Sequence, residues 1–267
     1  MDAAPPTASQ RPHSLAPREH GAYGQLALPM LAALGAGRPG AVAALLCTSA
    51  WALFLANEPA LVLLGRRGER LRTEERPRAI ARLAGLAIAG ASLGVAALVL
   101  APPPVRSALV LPVLLGAAFA AIVLLGQERS LVGEALAALA LAGVSFPVGI
   151  ASGLTPGASA RAWCVWALGF GALLVPVRSI GARRRATASM VTRLLPVLLA
   201  LATAVGALRA GFGAGHLLAL APLVLAASWF AVSPPPPRSL PRVGWTVVGA
   251  GLLTTALLIA VARSGRA

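Results

Sequence analysis

The sequence predicts an all-α protein, a polytopic transmembrane bundle of about nine spanning helices. Three observations predict it. Of 267 residues, 58% are hydrophobic and 12% charged, against about 25% charged in an ordinary soluble domain. The mean hydropathy is +0.81. Apolar runs close to the length needed to cross hydrocarbon recur along the chain, separated by Pro, Gly and Arg. So few ionic groups cannot cover a water-facing surface. The abundance of Ala, Leu, Val and Gly, with aromatics at 4%, suits helices packed closely in lipid.

The first 17 residues are rich in Pro, Ala, Ser and Thr and lack an apolar signal core. They read as a disordered cytoplasmic tail, leaving 18–267 as one membrane domain. Spans are expected near 20–37, 40–64, 83–101, 107–126, 131–151, 162–180, 194–212, 215–232 and 243–262. Breakers divide them: Gly37-Arg38-Pro39, the triplet from Pro102 to Pro104, Thr155-Pro156-Gly157 and the run from Pro234 to Pro237. Two long polar connections, 66–82 and 178–193, carry most of the arginines. Glycines four apart, Gly90 with Gly94 and Gly149 with Gly153, would let neighbouring backbones approach.

All 23 basic residues are arginine, against eight acids. With the N-terminus in the cytoplasm, 17 arginines fall inside and six outside, the asymmetry that orients bacterial inner-membrane proteins. Trp163 and Trp166 then stand at the outer interface, Trp229 and Trp245 at the inner one. Nucleic acid is not an expected partner, because the arginines cluster between apolar runs, beside anionic lipid headgroups. Cys47, Cys164, His13, His20 and His216 are scattered and suggest no metal site.

Ionisable groups within apolar runs mark candidate chemistry, since lipid exposure costs them several kcal/mol. Glu19 and His20, with Tyr23 and Gln25, crowd the entrance to the first span. They line a site mouth or make a snorkelling interfacial start. Asn57 and Glu58 precede Pro59 in the second span, and Glu58 lies roughly 10 Å below Gly65 along the helix. Glu58 is either a functional carboxylate or one paired with an arginine of the next loop. Glu134 sits one turn into the fifth span, where the helix dipole also favours an acid. On the same side, arginines including Arg72 and Arg76 can reach phosphate or carboxylate, although setting topology explains most of them. Together these groups would form a polar, inward-facing cavity capped by basic loops.

The run Arg18-Glu19-His20-Gly21-Ala22-Tyr23-Gly24 resembles the opening motif of the YwiC-like family of bacterial integral membrane proteins, and the resemblance extends through Asn57-Glu58-Pro59. That family implies no settled activity. A second resemblance is to UbiA-type prenyltransferases, which implies a nine-helix architecture with an inward-facing site. There, an Asn-Asp pair opens a magnesium-diphosphate motif and an Arg-Thr-x-x-Arg-Pro stretch follows. Asn57-Glu58 and Arg72, Thr73, Arg76 and Pro77 correspond to these. Leu61 and Gly65 stand where further aspartates belong, and 178–193 has no acid, so magnesium would lack its usual ligands. The functional expectation is binding or modification of an isoprenoid or other lipid-like ligand, with membrane lipids as partners and no cofactor specified. The alternatives are a small-solute or proton-coupled transporter in which Glu58 titrates, and a non-enzymatic subunit of a membrane complex.

Overall fold

The computed structural model describes residues 15–17, 20–182, 205–206, 212–236 and 240–265. Ten helices are described: α1 (His20–Ala36), α2 (Ala41–Leu63), α3 (Glu69–Leu100), α4 (Pro103–Ala108), α5 (Val110–Leu124), α6 (Leu131–Gly143), α7 (Ser145–Ala151), α8 (Pro156–Ala182), α9 (Ala214–Val232) and α10 (Leu240–Arg263). Among the described residues, seven spans are long and apolar enough to cross a membrane, with α4–α5 and α6–α7 each serving as one. The protein is a polytopic membrane protein. At 17 residues, α1 lies inside the bundle beside these seven, and the expected span over 194–212 falls outside the described residues except at 205–206 and 212.

The helices run up and down between two faces. At one face lie the starts of α1, α3, α6 and α10 and the ends of α2, α5 and α8. At the other, the Arg38 amide donates to the Ser152 carbonyl at 2.7 Å, and Arg263 Nε reaches the Gly35 carbonyl at 3.2 Å. Packing centres on α1, which touches α2, α6, α7, α8 and α10. The largest core joins Leu28, Trp166, Phe170, Leu173, Leu223 and Phe230. A smaller aromatic cluster sets Phe54 edge-on to Tyr23, with ring centroids 5.0 Å apart, and edge-on to Trp51 at 5.7 Å.

Three features depart from the sequence reading. The polar stretch 66–82 is not a loop for most of its length, because α3 starts at Glu69 and runs 32 residues. Oppositely charged side chains one turn apart carry the helix through that stretch: Arg70 with Glu74, Glu69 with Arg72, and Glu75 with Arg78. Trp166 is not an interfacial residue; it is buried against Phe170 with ring centroids 5.4 Å apart. Leu15, in the expected tail, packs on Val62 and Ala79, and Tyr23 donates to the Pro17 carbonyl.

The glycine pairs divide. A Cβ on Gly90 would stand 2.8 Å from Leu53 Cγ, and one on Gly94 would stand 3.1 Å from Ser49 Oγ. These glycines bring α3 onto α2, and Ser49 Oγ donates to the Gly90 carbonyl at 2.7 Å. Gly149 likewise abuts Ser159, whereas Gly153 has open space and a φ of +93°, making it a turn residue. Elsewhere α3 and α5 expose Ile88, Val95, Val99, Val113 and Leu114, the surface that hydrocarbon covers in a membrane protein.

Candidate functional site

The end of α2 on the polar face is closed by a hydrogen-bonded turn. After Leu63 the Arg66 amide donates back to Leu61 and the Gly65 amide to Val62, with Gly65 at φ +72°. This is a Schellman closure, and it turns the chain sharply back on itself. The next two arginines then point to different partners. Arg66 Nη2 donates to the Leu124 carbonyl at 3.1 Å, capping α5 and lying against Gly126. Arg67 turns inward and forks the Glu58 carboxylate, Nε to Oε1 at 2.9 Å and Nη2 to Oε2 at 2.6 Å.

Glu58 is 1% exposed and Arg67 12%. A buried carboxylate persists only when paired and hydrogen-bonded, and the bidentate guanidinium meets that need with the strongest geometry available to it. Of the two sequence readings, the geometry matches the carboxylate paired with an arginine of the following loop.

Beside this pair lies a cavity of about 1090 Å³. Its described lining includes Gly21, Gly24 and Gln25 of α1, Asn57 and Leu61 of α2, Phe119 and Val123 of α5, and residues of α6, α8 and α10. The walls are apolar: Leu141, Phe170, Leu173, Leu174, Val177 and Val247. The polar groups are Arg67, Glu128, Arg129, Glu134 and Arg178 with Asn57 and Gln25. Gly21 and Gly24 have little or nothing within reach of a Cβ, so α1 presents bare backbone to the cavity.

Glu134 is placed by the start of α6. Ser130 caps that helix by accepting the Gly133 amide at 3.0 Å, and Glu134 then reaches Arg178 of α8, Oε1 to Nη1 at 2.9 Å. Both partners are partly exposed, at 38% and 41%. This pair ties α6 to α8 across the cavity. In the preceding turn, Gly133 sits so close to the Gln127 and Glu128 carbonyls that a Cβ has no room. Glu128 Oε2 is buried and accepts no hydrogen bond, while Arg129 is exposed.

The sequence-predicted residues therefore separate. Asn57 and Glu134 line the cavity, and Glu58 stands behind it, held by the lining residue Arg67. Arg72 and Arg76 are exposed on α3, Arg72 pairing with Glu69 at 3.3 Å; neither belongs to the described lining. Their helix packs on α2 and turns these arginines to solvent. Glu19 lies outside the described residues, as do Arg183, Arg184 and Arg185; His20 opens α1, and its side chain is likewise outside the described set. Sequence reasoning missed the α10 wall, Pro241 to Val248, and the specific partnerships of Arg67 and Arg178.

The family model for YwiC-like proteins matches residues 16–149, which is half of the chain. The chain belongs to the YwiC-like family. No curated protein and no solved structure matches it. The region shared with the YwiC-like model runs from just before α1 into α7 and contains Asn57, Glu58, Arg67, Glu128, Arg129 and Glu134. Arg178 and the α10 wall, which complete the described cavity, lie beyond that region.

Proposed function

We propose that this YwiC-like protein binds an amphipathic, lipid-like molecule in the cavity, isoprenoids included, in a bacterial inner membrane with the N-terminus and the cavity facing the cytoplasm. The orientation rests on the arginine asymmetry. The observation that carries the ligand class is the division within one cavity of about 1090 Å³ between an apolar wall, formed by Phe119, Leu141, Phe170 and Leu173, and an ionic rim containing Arg129 and Arg178. Ligand sites are typically apolar clefts with a few placed polar groups, and an acyl or prenyl chain matches the wall as a polar head matches the rim.

A solute carrier using Glu58 as its titrating group has less support, because both carboxylate oxygens of Glu58 accept from Arg67. The test is native mass spectrometry of protein purified in mild detergent. The wild type is expected to retain lipid-sized adducts, and Leu141→Trp or Leu173→Trp, which fill the wall, to lose them. Retention no greater than that of an unrelated polytopic protein overturns the proposal.

A further inference from the structure

We infer that the head of the bound molecule is a zwitterion pairing an ammonium with a phosphate, the chemistry of an aminophospholipid head. This deepens the lipid-binding reading and rests on it. Three arginines and two glutamates belong to the described lining, but most of this charge is already committed. Arg67 is forked onto Glu58 and Arg178 is paired with Glu134. Among the described lining residues, what remains is Arg129 and the unpartnered Oε2 of Glu128, one cation and one acceptor in consecutive positions of the turn between α5 and α6.

These two described groups match a head that carries both charges. The exposed guanidinium of Arg129 matches a phosphate. A carboxylate oxygen shielded from water and without a donor is costly. A small rotation of the Glu128 side chain would offer that oxygen to an ammonium entering from the cavity. A purely anionic head supplies no ammonium, and its phosphate would be repelled by Glu128; a glycerol hydroxyl can donate but leaves the carboxylate charge unbalanced. The phosphate of the same head then falls to Arg129, and the acyl chains follow the Leu141 and Leu173 wall.

The measurement is competitive native mass spectrometry on the full-length protein with phosphatidylethanolamine, phosphatidylglycerol and farnesyl diphosphate as probes. The wild type is expected to favour phosphatidylethanolamine over both others by roughly tenfold, the effect of one charge-assisted hydrogen bond. Glu128→Gln, with the same size and an unchanged elution profile, is expected to narrow the preference to about twofold. Displacement by water-soluble O-phosphoethanolamine assigns recognition to the head alone, and failure to displace assigns it to the intact lipid. Equal binding of the three probes, or a preference unchanged in Glu128→Gln, overturns the zwitterion inference while leaving lipid binding intact. No retention of any probe overturns the lipid-binding reading itself.

Discussion

Arg67 reaches back nine residues to enclose the Glu58 carboxylate, with contacts of 2.9 and 2.6 Å on its two oxygens. The Schellman turn at Gly65 makes this possible, so the last turn of α2 and the loop after it form one unit. Removing the guanidinium alone would leave a buried carboxylate with a large part of its compensation gone.

Arg67→Ala is therefore expected to destabilise the protein by about 3–5 kcal/mol. Glu58→Gln with Arg67→Met should recover a large part of that loss, because neither charge then remains to be compensated. Thermal unfolding in detergent followed by intrinsic fluorescence reads both variants. An Arg67→Ala protein as stable as the wild type would mean that the pair adds little.

The contact between α2 and α3 makes a paired prediction. Gly90→Ala forces a methyl group against Leu53 and is expected to cost about 1–3 kcal/mol. Gly85→Ala, with nothing within 4 Å of its Cβ position, is expected to be neutral or to stabilise by up to ~1 kcal/mol through helix propensity. Urea unfolding of the two proteins side by side distinguishes close packing from a general intolerance of substitution in α3.

The Glu134–Arg178 pair is partly exposed, so its coupling should be small. A double-mutant cycle with Glu134→Gln and Arg178→Gln is expected to give about 0.2–1 kcal/mol, falling as salt is raised. A coupling of several kcal/mol, insensitive to salt, would place the pair in a much drier environment than the structure gives it.

The proposed orientation predicts where labels enter. In a background with the free cysteines Cys47 and Cys164 replaced by Ala, Ser264→Cys on the face opposite the cavity should react with a membrane-impermeant maleimide in intact cells. Thr73→Cys, exposed on the arginine-rich part of α3, should react only after permeabilisation. The reverse pattern would put the cavity on the outside.

The membrane class was legible in composition, and the boundaries of α1, α2, α6–α7 and α9 followed closely from breakers and apolar runs. The helical start of α3 was not, because its residues are polar and the signal lay in charge pairs one turn apart rather than in hydropathy. The trio Glu58, Gly65 and Arg67 was partly legible: the buried acid and an arginine partner were foreseeable, but choosing Arg67 over its neighbours needed the turn geometry. The apolar wall was illegible for a physical reason. In lipid, Leu141 and Leu173 facing a cavity are chemically the same as Val113 and Leu114 facing hydrocarbon, so no periodicity distinguishes inside from outside.

The most direct test of cavity occupancy is a density map of the protein in lipid nanodiscs, bound to an antibody fragment for alignment. Lipid binding predicts elongated density along Phe119, Leu141 and Leu173, ending in a compact head between Glu128 and Arg129. A cavity holding only solvent, or closed by collapse of α8 and α10 onto α6, would contradict it.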